Sequence, residues 1–449
     1  MKIHNKLFNY LSVIISLLFL IYVFYKSEII FEGSKKEHYI QYYIVGFLYI
    51  IFSILILNLN KTINDLLNLS VISIIISLYT FEFYLIKKKD NQNSNLDIKK
   101  ERYKIISGKD WDMRSQYQVY KDLLELNPDV VPYFYPSELN LKENIKIHSL
   151  SGVSNSLTVF CNENGYFSVN LSDRYGFNNP DDEWDNNIID YVFVGDSFTH
   201  GYCVNRPNDI PSVIRSIHNK KVLNLGYGGN GPLIEYAILR EYLPKNVKKI
   251  VFMYFEGNDL DGLNDELKKK ILTKYIVDED FNQNLREKQK FIDYEKRKNI
   301  HIRSEGDKFK FLKLRKTRKA IKKIINSKKK IINSKKNLDL KKNYQLEKLE
   351  QILFLSKKLA IERKSDFYFV YLPSVNYYFR NKQFPDKSFY FSEIRSIINK
   401  LDINFIDIHK EVFEKEKDPK KLFPFDLPGH YNIEGYKKVA ETIYKFTKD

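Results

Sequence analysis

Cysteine is scarce in this sequence: two residues in 449, Cys161 and Cys203. That excludes a disulfide scaffold and a zinc module built on cysteine ligands. Acid is missing altogether between Lys308 and Leu338, where fourteen Lys and Arg fall. Of the formal net charge of +17, that segment accounts for all but +3, so the basicity says little about partners of the rest of the chain. Its two seven-residue repeats, Lys322–Lys328 and Lys329–Lys335, hold no aromatic on which a base could stack, and no nucleic-acid partner is expected. A cleavable leader is not expected either. The first apolar run ends in the bulky Tyr22-Val23-Phe24-Tyr25-Lys26, with no small-x-small site. Gly226, Gly228 and Gly231 satisfy a G-x-G-x-x-G pattern, but no acid follows at the distance a dinucleotide ribose requires.

Apolar and aromatic side chains are plentiful: 43% of residues are hydrophobic, with 33 Tyr and 32 Phe. Leu7–Phe24 is uncharged for eighteen residues and Tyr39–Asn60 for twenty-two, while Leu66–Ile86 holds one acid, Glu82. About 20 apolar residues cross a bilayer as a helix. Residues 1–90 are therefore expected to form about three transmembrane helices of a multi-pass protein in the cytoplasmic membrane. With three spans, Lys2, Lys6 and Lys61 lie on one side and ten basic residues on the other. Taken alone, that asymmetry puts the large C-terminal part in the cytoplasm.

Residues 91–185 read as a polar linker and an accessory segment. Within it, Leu157–Cys161 and Tyr166–Leu171 form a β-hairpin about Asn-Glu-Asn-Gly. From residue 186 on, short apolar runs alternate with helical patterns: Ile188–Val194, Lys221–Leu225, Ile250–Phe255, Phe367–Leu372 and Ile403–Ile408. That alternation predicts an α/β domain over 186–449 with a five-stranded parallel sheet covered on both faces. A Lys-rich, largely helical insertion, 261–365, interrupts it. Its paired isoleucines, Ile324, Ile325, Ile331 and Ile332, would form an apolar stripe flanked by lysines. Such a stripe suits either an anionic membrane surface or packing of a solvated arm on the domain.

In a parallel α/β sheet the working groups gather at the carboxyl ends of the strands. The first strand runs into Gly195-Asp196-Ser197, the second into Asn224-Leu-Gly226-Tyr-Gly228-Gly229, and the third into Gly257-Asn258-Asp259. Asp426 and His430 lie in a turn before the last helix. A serine hydroxyl needs an adjacent base to become a nucleophile. Ser197 is the expected nucleophile, His430 its base and Asp426 the group that orients the imidazole. His409 with Asp407, after the fifth strand, is a reserve pair. The backbone N–H groups of Ser197 and Gly229 and the side-chain amide of Asn258 are the expected oxyanion donors. The G-x-S-x-G elbow is absent, since Thr199 stands in the place of its second glycine. This chemistry calls for no cofactor and no metal.

These four blocks, in this order, resemble the SGNH (GDSL) hydrolase family over residues 186–449 apart from the insertion. The resemblance implies a three-layer α/β/α fold preceded here by transmembrane helices. It also implies ester chemistry through an acyl-serine, by an esterase or an O-acyltransferase. One departure stands out: the family pattern has two residues between Asp and His, and here there are three. Membrane-attached members of the family act on O-acyl groups of cell-envelope polysaccharides or lipids, usually outside the cytoplasmic membrane. The catalytic domain is accordingly expected to be extracytoplasmic, with membrane lipid and an acylated polysaccharide or lipid as partners. A non-catalytic glycan- or lipid-binding domain is the alternative.

Overall fold

A computed structural model describes residues 4–448 apart from 32, 34–35, 91–93, 141–145, 306–313, 333–334 and 381–389. The chain divides into two compact units, residues 1–93 with 302–332, and residues 94–301 with 333–449.

The first unit holds the helices His4–Phe24, Lys36–Leu57 and Lys61–Asp90. Three stretches, Phe8–Ile30, Lys36–Leu57 and Lys61–Lys87, are long and apolar enough to cross a membrane. Their large side chains point outward; Ile44, Val45, Leu48 and Leu55 are all more than half exposed. The polar groups turn inward, as an apolar surrounding demands. Asn9 Nδ2 donates to Asn64 Oδ1 at 3.2 Å, and Asn68 Nδ2 donates to the same oxygen at 2.6 Å. The helix Arg315–Ile332 also belongs to this unit. Only the middle of the basic insertion lies there. Its flanks, 261–301 and 333–365, are part of the second unit.

The second unit begins with the helix Ser94–Ser107, where polar composition had predicted a linker. Five short accessory strands follow: β1 (Val130–Pro132), β2 (Ser137–Asn140), β3 (Lys146–Ser149), β4 (Leu157–Val159) and β5 (Val169–Leu171). Strands β4 and β5 are the antiparallel hairpin read from the sequence, and β1 lies parallel beside β4. The main sheet consists of β6 (Ile189–Val194), β7 (Val222–Asn224), β8 (Val247–Phe255), β9 (Asp366–Leu372) and β10 (Asn404–Asp407). All pairs are parallel, in the order β10-β9-β8-β6-β7. The strands are almost uniformly apolar because helices cover both faces. One face packs on Pro232–Tyr242, Lys335–Glu362 and Phe391–Lys400, through residues such as Leu233, Ile238, Leu349, Leu353 and Ile398. The other packs on Ile210–His218 and Ile433–Thr447, through Ile214, Val439 and Ile443. Each such side chain, fully buried, contributes ~1.5–3 kcal/mol.

The chain runs from β6 outward to β7 and then returns across β6 to β8. Open α/β sheets place their sites at such a reversal, beyond the carboxyl ends of the strands, here β6 and β8.

Candidate active site

The site is built on the turn that follows β6. Gly195 is required there by space: a Cβ on it would fall 2.1 Å from Thr199 Oγ1 and 3.0 Å from the Met253 carbonyl. Asp196, fully buried, caps the short helix Ser197–His200 by accepting from Phe198 N at 2.9 Å. The same carboxylate lies 3.3 Å from Ser197 Oγ and takes a hydrogen bond from the Asn258 side chain. Thus the serine at the end of β6 and the asparagine at the end of β8 share one buried anchor. Burial raises the Asp196 pKa, and its hydrogen-bond donors and His430 oppose that only in part.

His430 reaches this turn from the segment before the last helix. Its Nε2 lies 2.9 Å from Ser197 Oγ. Its Nδ1 lies 3.1 Å from Glu163 Oε1, and its backbone N–H donates to Glu163 Oε2 at 2.7 Å. A carboxylate only accepts, so Nδ1 carries the proton and Nε2 presents its lone pair to the serine hydroxyl. Burial pulls the imidazole pKa down; the charge and hydrogen bond of Glu163, with the charge of Asp196, outweigh it, and the net direction is up. Burial pushes the Glu163 carboxyl up, yet His430 and Lys99 hold it below the ordinary carboxylate range. Phe198 and Tyr202 flank the imidazole, with ring centroids 4.8 Å and 4.9 Å away.

Asp426, expected to orient His430, is placed elsewhere. Its carboxylate is half exposed and pairs with Arg102 at 3.2 Å. The backbone explains why. Phe425 and Asp426 are both left-handed, with φ of 58° and 52°, and Leu427-Pro428-Gly429 still separate Asp426 from the histidine. The orienting position is filled instead by Glu163, at the tip of the β4–β5 hairpin. The sequence reading missed this residue. One signal for it was present: Cys161, two positions earlier, forms a disulfide with Cys203, just beyond the Ser197 helix. A Cys161–Cys203 pair brings the hairpin tip to the turn that carries Ser197.

Of the expected oxyanion donors, Gly229 lies after β7 and Asn258 after β8, on the strands that flank β6. Gly229 is left-handed, with φ of 85°, and the Tyr135 ring covers it so closely that a Cβ would sit 2.8 Å from Cδ1. Its loop is held from both sides. Tyr133 donates to the Gly228 carbonyl at 2.9 Å, while Glu266 accepts from Gly231 N at 2.6 Å and Leu233 N at 3.0 Å. Tyr135, itself 54% exposed, has its hydroxyl 3.2 Å from that of Tyr202.

The reserve pair is not brought to Ser197 by any hydrogen bond among the described residues. His409 instead lies 2.7 Å from the Tyr378 hydroxyl and 3.4 Å from Glu414, and Asp407 caps the short helix Ile408–Glu411. His200, three residues after Ser197, points into a nest of Tyr133, Phe160 and Tyr227, where burial lowers its pKa to about 3. Glu163, Cys203 and His430 lie close enough together to suggest metal ligation. The sulfur is bound in the disulfide and both imidazole nitrogens are engaged, so this donor set suits a hydrogen-bond relay rather than a metal. The arrangement is equipped for acyl transfer: a nucleophile, a base with an accessible lone pair and an anion to stabilise the imidazolium.

No family model matches the chain, and no curated relative matches it. Among solved structures, a candidate lipolytic protein of the G-D-S-L family from Desulfitobacterium hafniense is 16% identical. The likeness covers 57% of this chain and 99% of that one, with a TM-score of 0.32.

Proposed function

We propose that the protein is a membrane-anchored serine esterase or O-acyltransferase that works through an acyl-serine on O-acyl groups of cell-envelope polysaccharide or lipid. The observation that carries this reading is the continuous relay Ser197–His430–Glu163, at 2.9 Å and 3.1 Å. Ser197 Oγ attacks the ester carbonyl while His430 Nε2 takes its proton. The negative charge that develops on the carbonyl oxygen is met by the backbone N–H groups of Ser197 and Gly229 and the Asn258 amide. The imidazolium, steadied by Glu163, then protonates the departing alkoxide. Water or a sugar hydroxyl attacks the acyl-serine and gives its proton to His430; the bond from the acyl carbon to Ser197 Oγ then breaks, Oγ takes that proton back, and the acid or the acylated sugar leaves.

Two features support the finer parts of this reading. Tyr135 and Tyr202 offer an amphipathic aromatic edge beside the oxyanion loop, and such rings suit the apolar face of a sugar. The disulfide Cys161–Cys203 belongs in an oxidising compartment, which favours the extracytoplasmic side over the one the lysine count suggests. A serine-reactive phosphonate tests the enzyme reading. One adduct per chain, on Ser197 and absent from Ser197→Ala, is expected. A chain that stays unlabelled while folded would leave the non-catalytic binding domain as the better account.

A further inference from the structure

The helix Arg315–Ile332 has no part in the proposed chemistry, yet it is fastened to the first unit in a specific manner. Glu82, on the third apolar helix, is only 2% exposed. Its two oxygens accept the backbone N–H groups of Lys316 and Thr317, at 3.0 Å and 2.7 Å. A carboxylate in that position satisfies otherwise orphaned donors of the first helical turn and complements the positive end of the helix. A second tie runs from Arg318 Nη1 to the Tyr42 hydroxyl at 3.3 Å, on the second apolar helix.

The position of these ties along the spans matters. Glu82 lies five residues before Lys87, where the third span ends, and Tyr42 lies six residues after Lys36, where the second begins. In successive spans these two ends share one side. The same ends carry Tyr39, Tyr42, Tyr43 and Tyr84, the kind of aromatic residue that gathers at a membrane–water boundary. The basic helix is thus tethered at interface depth, on the side where Lys87, Lys88 and Lys89 lie.

Its sequence fits that depth. Thr317, Ala320, Ile321, Ile324 and Ile325 fall on one face, and Arg315, Lys319, Lys322 and Lys323 on the others. Thr317 is buried, whereas Ile321, Ile324 and Ile325 are 44%, 54% and 49% exposed. An isoleucine stripe in the acyl boundary with lysines at headgroup level is the arrangement of an interfacial helix. We propose that Arg315–Ile332 lies in the headgroup layer beside the second and third spans and binds anionic lipid phosphates, with Glu82 as its anchor. Each basic residue near such a surface contributes to the attraction.

The test uses the full chain in nanodiscs of phosphatidylcholine with or without phosphatidylglycerol. Because the two native cysteines are paired, a fluorophore can be placed on a single introduced thiol, in Ile321→Cys, Ile325→Cys or Lys322→Cys. The labels on Ile321→Cys and Ile325→Cys are expected to be quenched by spin-labelled lipid and shielded from aqueous iodide when phosphatidylglycerol is present. The label on Lys322→Cys should remain open to iodide. Replacing Lys319, Lys322 and Lys323 together by Gln should remove the dependence on phosphatidylglycerol. Iodide access at Ile321→Cys and Ile325→Cys equal to that at Lys322→Cys would overturn the proposal. Shielding that is the same in both lipid compositions would overturn its anionic-lipid part, and two label positions guard against one disturbed variant.

Discussion

At the scale of single residues, His430 has two candidate carboxylates, Glu163 beside its Nδ1 and Asp426 in its own turn. If Glu163 does, Glu163→Gln should lower kcat by roughly 10²–10⁴, since an amide in place of the orienting carboxylate costs about 10⁴ in serine triads. Asp426→Asn should change it by less than about threefold, because its exposed ion pair with Arg102 belongs to a class worth about 0–1 kcal/mol. Steady-state kinetics of the two variants on one short-chain ester separate the assignments. The pH profile gives an independent reading. His430 must be neutral to act as base, and its pKa is raised, so the acid limb of kcat/KM should lie above the ordinary histidine value of about 6.5. Glu163→Gln removes a charge that favours the imidazolium, so the limb should move to lower pH. Asn258→Ala should cost about 10²–10³ in kcat if its amide serves the oxyanion; a loss confined to KM would assign it to substrate binding instead. The difference between these residues is also a difference in what the sequence can reveal. Ser197, Gly229 and Asn258 lie in the turns that follow strands whose apolar patterns are local, so their placement at one sheet end is legible. Glu163 meets His430 across 267 positions in the chain, on an accessory hairpin with no chemical signature of its own.

At the scale of elements, the supports of the site lie outside the α/β domain that the strand pattern outlines. The disulfide joins the start of the β4–β5 hairpin tip to the turn after the helix Ser197–His200. The helix Ser94–Ser107 braces the other side: Lys99 donates to the Pro428 carbonyl at 3.1 Å, Arg102 to the Phe425 carbonyl, and Tyr103 with Trp111 packs on the Phe425 ring. Composition alone makes this stretch look like a linker because the partners of the helix Ser94–Ser107 lie 323 and 329 residues away in the chain; its polar sequence carries no strong amphipathic period of its own. The insertion hid its division for the same kind of reason: a continuous run of lysines and helix formers gives no sign that 302–332 and its flanks pack in different units. The double variant Cys161→Ser/Cys203→Ser should therefore lose stability by about 3–4 kcal/mol from loop entropy. It should also lose kcat more than KM rises, because it frees Glu163 from the nucleophile turn. Thermal unfolding and kinetics on the same preparation test both parts, and unchanged kcat in a destabilised variant would confine the disulfide to a structural role.

At the scale of the whole molecule, three helices suited to a bilayer accompany a unit that holds, at the β6–β8 reversal, a serine, a histidine and a glutamate in hydrogen-bonded series. The fold class follows from apolar strand runs and long apolar helices, both readable by eye. The side of the membrane does not, because the lysine count and the disulfide point in opposite directions. Alkylation of thiols in intact cells before reduction decides it. A Cys161–Cys203 pair that is protected from alkylation until reductant is added is expected of an extracytoplasmic domain, and free thiols in the native protein would contradict it. The central claim, however, is that Ser197 carries the acyl group in turnover. Its most direct test is an acid quench of the protein during ester hydrolysis, followed by mass analysis of the peptide that contains Ser197. The account predicts an acyl adduct on Ser197, absent from Ser197→Ala, whose turnover is abolished. Ester hydrolysis that proceeds with no acyl group on Ser197, or that survives in Ser197→Ala, would contradict it.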